Sequence, residues 1–347
     1  MVKLGKIFRV EVLPIRSIHL NQALTHKFQT EIQSSTYTST ALQGGTVAQV
    51  ELIEGIAITL EGLQHPFKLV KKTQKKWSRF ADEHSWRREF DLYHQNFHTY
   101  FTGNLRIPTC YFAAMNADES SYDLWLEFID GDSGYSLTVE QYEQAAYEIG
   151  VFQGRLYHEN QQLLAFKNVN PPSYLKEVYT RYRSWPVVYD FIRQPNCSLP
   201  AYLTELMIDL DEHAEEIFST IEQLPLVFCH RDYWNTNIFI TNDETVLLDW
   251  DTAGWGYFGE DIASLIIDDS NPAFIFDYYE KCVPAYLKGF ETSSGMSIHS
   301  HTIFEMMLLK FGYRLIESYI DEDHIEITLQ QLEQLYRIKQ SFILQNK

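Results

Sequence analysis

"VFCHRDYWNTNIFITNDETVLLDWD", residues 227–251, places a His, an Arg and an Asp between apolar runs, then an Asn, then two carboxylates on either side of one Trp. A buried strand keeps charge off its inner face, because an unpaired charge taken out of water is costly. Ionisable groups in such a stretch lower stability and point to a role other than folding. The 226–250 region reads as a β-hairpin turning near Asn242-Asp243.

The spacing has a chemical meaning. His230-Arg231-Asp232, then Asn237, then Asp249 beyond a hairpin is the order of a phosphoryl-transfer catalytic loop and its metal-binding carboxylate. A hydroxyl attacking a γ-phosphoryl group needs an acceptor for its proton, which the Asp232 carboxylate supplies. Mg2+ takes hard oxygen ligands, so the Asn237 amide oxygen and the Asp249 carboxylate suit it. His230 reads either as a core histidine or as the residue that holds the loop.

Composition bounds the rest. A chain of 347 residues, 45% apolar and 15% aromatic, is globular, with a large core and room for two lobes. Its net charge of −19 argues against nucleic acid as a partner, because binding a phosphate backbone requires basic patches. Residues 1–128 carry 14 Lys and Arg against 13 Asp and Glu, whereas residues 129–347 carry 14 against 34. Two lobes with different tasks are expected. The acidic one reads as a solvated surface or as a cleft that attracts a cationic substrate.

No apolar run approaches the roughly 20 residues that cross a bilayer, so no membrane partner is expected. The N-terminal MVKLGKIFRVEVLP lacks the apolar centre of a signal peptide, which makes a cytoplasmic location the expectation. Cys110, Cys197, Cys229 and Cys282 form no Cys/His cluster, so neither a disulfide framework nor a zinc site is expected.

Along the chain, Ala48–Leu52, Ile56–Leu60 and Phe67–Lys71 read as short strands of an antiparallel sheet. Ser85 is a candidate cap for a helix carrying Trp86, Phe90, Tyr93 and Phe97 at helical spacing. Tyr122–Phe128 is a further strand, and the lobe boundary falls at Asp130-Gly131-Asp132. Thr138 and Gln141 form a capping box opening a helix to about His158, and residues 200–222, 302–319 and 325–344 read as long amphipathic helices.

Residues 230–261, from His230-Arg-Asp-Tyr-Trp-Asn-Thr-Asn237 through Asp249-Trp-Asp251 to Gly259-Glu-Asp261-Ile-Ala, resemble the aminoglycoside phosphotransferase and choline kinase type of small-molecule kinase. The likeness continues upstream at Leu69-Val-Lys71, Trp86-Arg-Arg-Glu89 and Leu124-Trp-Leu-Glu-Phe-Ile-Asp-Gly131, and covers most of residues 40–265. It implies an α+β, bilobal protein-kinase-like fold with ATP and Mg2+ as cofactors. Residues 1–129 would be a nucleotide-binding lobe of antiparallel sheet with one helix, and residues 130–347 a larger, mainly helical lobe for catalysis and substrate binding.

The resemblance also implies roles. Lys71 would steady the α- and β-phosphates and Glu89 would pair with it. Lys72, which shares the other strand face with Lys68 and Val70, stands as the alternative lysine. Gly44-Gly45-Thr46 would be the loop whose backbone N–H groups approach the phosphates, although a GG pair equally suits a plain hairpin turn. Glu127 to Ile129 would be the linker whose backbone binds the adenine edge, and Asp261 the carboxylate that ties down the catalytic loop.

Only 11 residues separate Asp249 from Asp261, too few for the peptide platform of a protein kinase, so the expected acceptor is a small hydroxyl-bearing molecule. Asp268-Asp269 and the aromatics Phe274, Phe276, Tyr278 and Tyr279 read as contributors to its site or, for the aromatics, as core. A cationic acceptor such as an aminoglycoside or amino alcohol would suit the acidic lobe, and aromatic rings can hold a quaternary ammonium. Two other classes stay open: a non-catalytic nucleotide-binding module, and a kinase acting on a protein side chain.

Overall fold

Alternating β-branched and polar residues build the first sheet. In the computed structural model, which describes residues 17–42, 47–79, 82–159, 166–298, 301–321 and 325–345, helix α1 (Ser17–Phe28) is followed by strands β1 (Ile32–Ala41), β2 (Gln49–Thr59) and β3 (Gln64–Lys75). With β5 (Cys110–Met115) and β6 (Ser121–Glu127) they form an antiparallel sheet of order β1-β2-β3-β6-β5. Leu20, Ala23 and Leu24 of α1 pack on Ile53, Ala57, Phe67, Leu69 and Trp125. These elements form one compact unit, Met1–Lys76 with Thr109–Phe128; Trp77–Pro108 with Ile129–Lys347 form the other.

Several local expectations change here. Ala48–Leu52 and Ile56–Leu60 belong to one strand, because Gly55 does not break β2: a Cβ there would lie 2.0 Å from Thr36 O of β1, so glycine is what lets the two strands approach. Strand β1, IQSSTYTSTA, has hydroxyl-bearing residues in place of an apolar alternation and was not anticipated. Nor was α1.

The second unit takes in α2 (Ser85–His94), β4 (Leu105–Arg106), β7 (Asp132–Ser133), α3 (Val139–Glu159), α4 (Tyr174–Arg183), α5 (Pro186–Phe191), α6 (Ala201–Glu212) and α7 (Ala214–Ile221). Then come β8 (Leu226–Cys229), β9 (Ile238–Thr241), β10 (Glu244–Leu247), β11 (Gly254–Tyr257), α8 (Glu260–Ile267), α9 (Ile275–Ser294), α10 (His301–Met307), α11 (Tyr313–Ile320) and α12 (Ile325–Gln345). Strands β4, β10, β9 and β7 form one small sheet and β11 pairs with β8 in another. The hairpin turns at Asn242-Asp243 as expected, with Thr241 opposite Glu244.

Residues 77–108, which the sequence assigns to the sheet lobe, group with the helical unit for a visible reason. Phe97 lies in an aromatic nest with Phe101, Phe152, Phe166, Phe228 and Trp250, at centroid distances of 4.8–6.4 Å. Arg88 is fully buried and donates to the Asp82 carboxylate and to the carbonyls of Asn168 and Asp251. Ser85 is not a cap. It lies inside the first turn of α2, buried, and its Oγ donates to Asp251 O at 3.2 Å.

The capping box is as expected, while two of the expected long helices are interrupted. Thr138 N donates to Gln141 Oε1 at 2.8 Å and Gln141 N to Thr138 Oγ1 at 3.3 Å, the reciprocal capping box that opens α3. The run 200–222 is two helices, α6 and α7, meeting at His213, and the run 302–319 contains a π-turn at Leu308–Gly312 between α10 and α11. Helices α3 and α9 touch through glycines: a Cβ on Gly289 would lie 2.1 Å from Tyr147 O, and one on Gly150 would lie 2.4 Å from Tyr286 O. Gly289→Ala is therefore expected to cost about 1–3 kcal/mol through overpacking, read as a lower midpoint in chemical denaturation. An unchanged midpoint would show that the helices are not so closely packed.

Candidate active site

The imidazole of His230 joins two loops. His230 follows β8 and is fully buried. Its Nε2 lies 2.7 Å from Leu248 O, and its Nδ1 accepts from the backbone N–H of Asp232 at 3.2 Å. A carbonyl can only accept, so Nε2 carries the proton, Nδ1 is bare and the ring is neutral. Burial, working against the fields of Asp261 and Asp232, holds its pKa below the ordinary histidine value, in keeping with that form.

The ring of bonds closes through Asn237. Asn237 Nδ2 donates to Asp232 O and to Asp232 Oδ2, both at 2.9 Å, and Leu248 N donates to Asn237 O at 2.9 Å. Asp232, Asn237 and Asp249 are thus carried on loops that Leu248 and His230 lock together. Both loops are bent through left-handed backbone, with φ of 70° at Arg231 and 59° at Asp249. Non-glycine residues rarely adopt that region, and such strain concentrates at functional sites.

A buried scaffold holds this bend. Asp261, at the first turn of α8, accepts from His230 N at 2.9 Å, Arg231 N at 2.7 Å and Gln153 Nε2 at 2.8 Å, which is the tie expected of it. Arg231 pairs with Glu260 at 3.2 Å with both side chains out of solvent, and its guanidinium lies 4.6 Å from the Tyr174 ring centre. Lys310, turned inward by the π-turn, donates to Arg231 O at 2.9 Å and to Ser264 Oγ. Arg79 reaches Asp251 Oδ2 at 3.2 Å. Neither Lys310 nor Arg79 was singled out from the sequence, and no periodicity marks them.

The upstream residues are placed as follows. Gly44, Gly45 and Thr46 lie outside the described residues. Lys71 lies 3.4 Å from Asp123 Oδ1 and 5.7 Å from the Trp125 ring centre, on the sheet face that packs on α1. Lys72 occupies the opposite face and is 8% exposed. Glu89 is buried in α2, at 2%. Glu127 exchanges bonds with Thr109: its N–H donates to Thr109 O at 2.9 Å, and its Oε2 accepts from Thr109 N at 3.1 Å. Ile129 is buried.

The residues expected near the acceptor are already partnered. Arg314 reaches Asp268 Oδ1 at 3.1 Å, and Tyr135 OH donates to Asp269 Oδ1 at 2.9 Å. Burial holds the Asp268 carboxyl above the usual carboxylate range in spite of Arg314. Tyr278 and Tyr279 are core residues, and Tyr278 stacks on Tyr142 at 4.0 Å. Arg337 covers the Phe276 ring, 4.0 Å from its centre, while Phe274 is 42% exposed.

Among the described residues, no group of three or more His, Cys, Asp or Glu side chains is arranged to hold a metal ion. The fit of Mg2+ rests instead on one carboxylate, Asp249, and one amide, Asn237. Asn237 commits its two amide N–H groups to Asp232, which leaves Oδ1 as the atom for a cation. With the Asp249 carboxylate on the loop that Leu248 ties to Asn237, the donors would all be hard oxygens, a set that suits Mg2+ and not a thiophilic metal.

Comparison with known proteins identifies the family and the fold. Residues 79–296 match the model of the phosphotransferase enzyme family. Choline kinase from Cryptosporidium parvum Iowa II superimposes with a TM-score of 0.58 at 16% identity, over 95% of this chain and 97% of that one. A variant of aminoglycoside 2′-phosphotransferase-IIIa in complex with GDP gives 0.55 at 14% identity, over 96% and 100%. A thermostable aminoglycoside phosphotransferase variant bound to AMP-PNP and hygromycin B gives 0.50 at 13% identity, over 92% and 98%. No curated protein sequence matches the chain. With a family match spanning more than half its length and an α+β, protein-kinase-like fold, the chain belongs to the phosphotransferase enzyme family.

Proposed function

We propose that this phosphotransferase moves the γ-phosphoryl group of ATP to a hydroxyl of a small molecule: ATP and R–OH give ADP and R–O–phosphate. The observation that carries this reading is the bonded pair Asp232 and Asn237, locked to the Asp249 loop through His230 and Leu248. Asp232 accepts the proton of the attacking hydroxyl. Its Oδ2 is held by Asn237, so Oδ1 is the atom that meets the acceptor. Asn237 Oδ1 and the Asp249 carboxylate would hold Mg2+, which when bound neutralises charge on the phosphate oxygens.

Lys71 and Lys72 are the candidates for the ATP phosphates. The face argument favours Lys72, which lies on the sheet face opposite α1, whereas Lys71 shares the α1 side with Phe67 and Leu69. The backbone of Glu127 to Ile129 is the candidate for the adenine edge. The acceptor is a small molecule because β11 and α8 begin at Gly254 and Glu260, leaving no segment long enough to dock a peptide. An aminoglycoside or amino alcohol remains the acceptor class to test first, although the pairing of Asp268 with Arg314 weakens that residue's pull on a cation.

Two outcomes test this. Asp232→Asn should lower kcat by about 10²-fold or more while the thermal shift produced by Mg·ATP is kept; near-normal turnover would remove Asp232 from the role of base. Lys72→Met should raise the KM for ATP about tenfold and Lys71→Met much less, and the reverse order would return the phosphate contact to Lys71. The acceptor is sought by ADP release over amino alcohols, sugars and antibiotics. Nucleotide binding without turnover on any of them would favour a non-catalytic module, and phosphate appearing on protein would favour a protein acceptor.

A further inference from the structure

Two polar rungs join α8 to the stretch that runs from the π-turn into α11, and they bracket the backbone of the catalytic loop. The inner rung is buried: Lys310 Nζ donates to Ser264 Oγ and to Arg231 O, one residue before the proposed base. The outer rung, four residues further along each element, is Arg314 Nη1 to Asp268 Oδ1 at 3.1 Å. Its acidic end meets the loop on the far side of the base, because Asn235 Nδ2 donates to the carbonyl of the next residue, Asp269, at 3.1 Å. Unlike the inner rung, this one opens to solvent: the Arg314 side chain is 48% exposed and that of Asp268 14%.

Folding gives no reason for a charge at Asp268. The residue caps the C-terminus of α8, where the helix dipole is negative and disfavours a carboxylate. It is also nearly out of water, and burial keeps its carboxyl above the usual range although Arg314 is bonded to it. One bond from one arginine therefore leaves Asp268 short of positive partners. Arg314 is only partly used as well: the bond to Asp268 takes one of its five N–H groups, and a guanidinium fork can receive a second carboxylate through two parallel bonds. An acceptor with a positive group alone would set that charge against Arg314, and one with a negative group alone would set it against Asp268. An acceptor with both would find a partner for each.

We propose that the Arg314–Asp268 pair selects the acceptor, and that the acceptor is a hydroxy amino acid: its carboxylate lies on the Arg314 fork, its ammonium on Asp268, and its hydroxyl is offered to Asp232. This rests on the phosphotransfer reading of the site and narrows the amino alcohols to those that also carry a carboxylate. The zwitterion turns one ion pair into two and brings no net charge into the site, so neither residue is left with an unmatched charge. The reaction step is unchanged. The hydroxyl oxygen bonds the γ-phosphorus, the bond to the ADP oxygen breaks and the hydroxyl proton passes to Asp232.

The test is calorimetric titration of the full chain, with Mg·AMP-PNP present, by L-serine and L-homoserine. The comparison compounds are ethanolamine and propanolamine, which lack the carboxylate, and hydroxypropionate and hydroxybutyrate, which lack the ammonium. At least one of the two amino acids should bind about tenfold or more tighter than both of its truncated counterparts. Arg314→Gln should remove its advantage over the amine, and Asp268→Asn its advantage over the hydroxy acid. Equal affinity for the amino acids and the amines in the wild type, no binding of either amino acid, or an Arg314→Gln that keeps the preference at an unchanged melting temperature would overturn the proposal. If a variant does not fold, the wild-type series decides alone. ADP release from Mg·ATP with the same compounds separates the two readings: preferred binding of an amino acid without ADP release keeps the recognition site and sinks the phosphotransfer reading, while release with a sugar or an antibiotic and with neither amino acid does the reverse.

Discussion

One neutral imidazole sets the geometry on which the rest depends. His230 has a carbonyl on one side and a backbone N–H on the other, so it must carry its proton on Nε2 and none on Nδ1. Protonation would put a second N–H against the Asp232 N–H and separate the loops. Burial removes that risk by disfavouring the charged ring. The histidine is therefore the strut that keeps Asp232 and the segment before Asp249 at a constant separation.

The cost of this arrangement is visible around it. Two non-glycine residues sit in left-handed backbone, and an arginine and a glutamate are paired with no access to water. A buried ion pair seldom adds net stability, because desolvation offsets its attraction, but removing one partner leaves an isolated charge that is strongly destabilising. The Arg231–Glu260 pair thus resists rearrangement more than it lowers the energy of the fold. Asp261 adds three accepted bonds at the same bend. The scaffold behind the active loop is charged and hydrogen-bonded, whereas the scaffold farther out, around Phe97 and Trp250, is aromatic.

Much of this was legible beforehand, for identifiable reasons. The β9–β10 hairpin announces itself by apolar runs around Asn242-Asp243, and the α3 capping box by Thr138 and Gln141, because both signals act over a few residues. The motif residues are readable because polar groups stand out among apolar strands. What was not legible depends on partners far along the chain. Residues 77–108 look like part of the sheet lobe until Phe97 and Arg88 are seen to engage residues beyond 150. Ser85 has the composition of a cap, yet its hydroxyl is taken by Asp251 O. Asp268 and Asp269 look like a cation trap, and each has found a partner of its own.

The order His, Asp, Asn, Asp at its spacing is a property of the sequence alone. It pointed to the phosphotransferase family, to which the comparison shows that the chain belongs. Tertiary structure decided the rest: which tautomer His230 adopts, which face of β3 each lysine takes, which carboxylates are neutralised and where Arg79 and Lys310 point. The physical reason is one of range. Spacing along a chain encodes local turns and strand alternation, while charge pairing and proton placement fall off within a few ångströms and so depend on which distant residues the fold brings into contact.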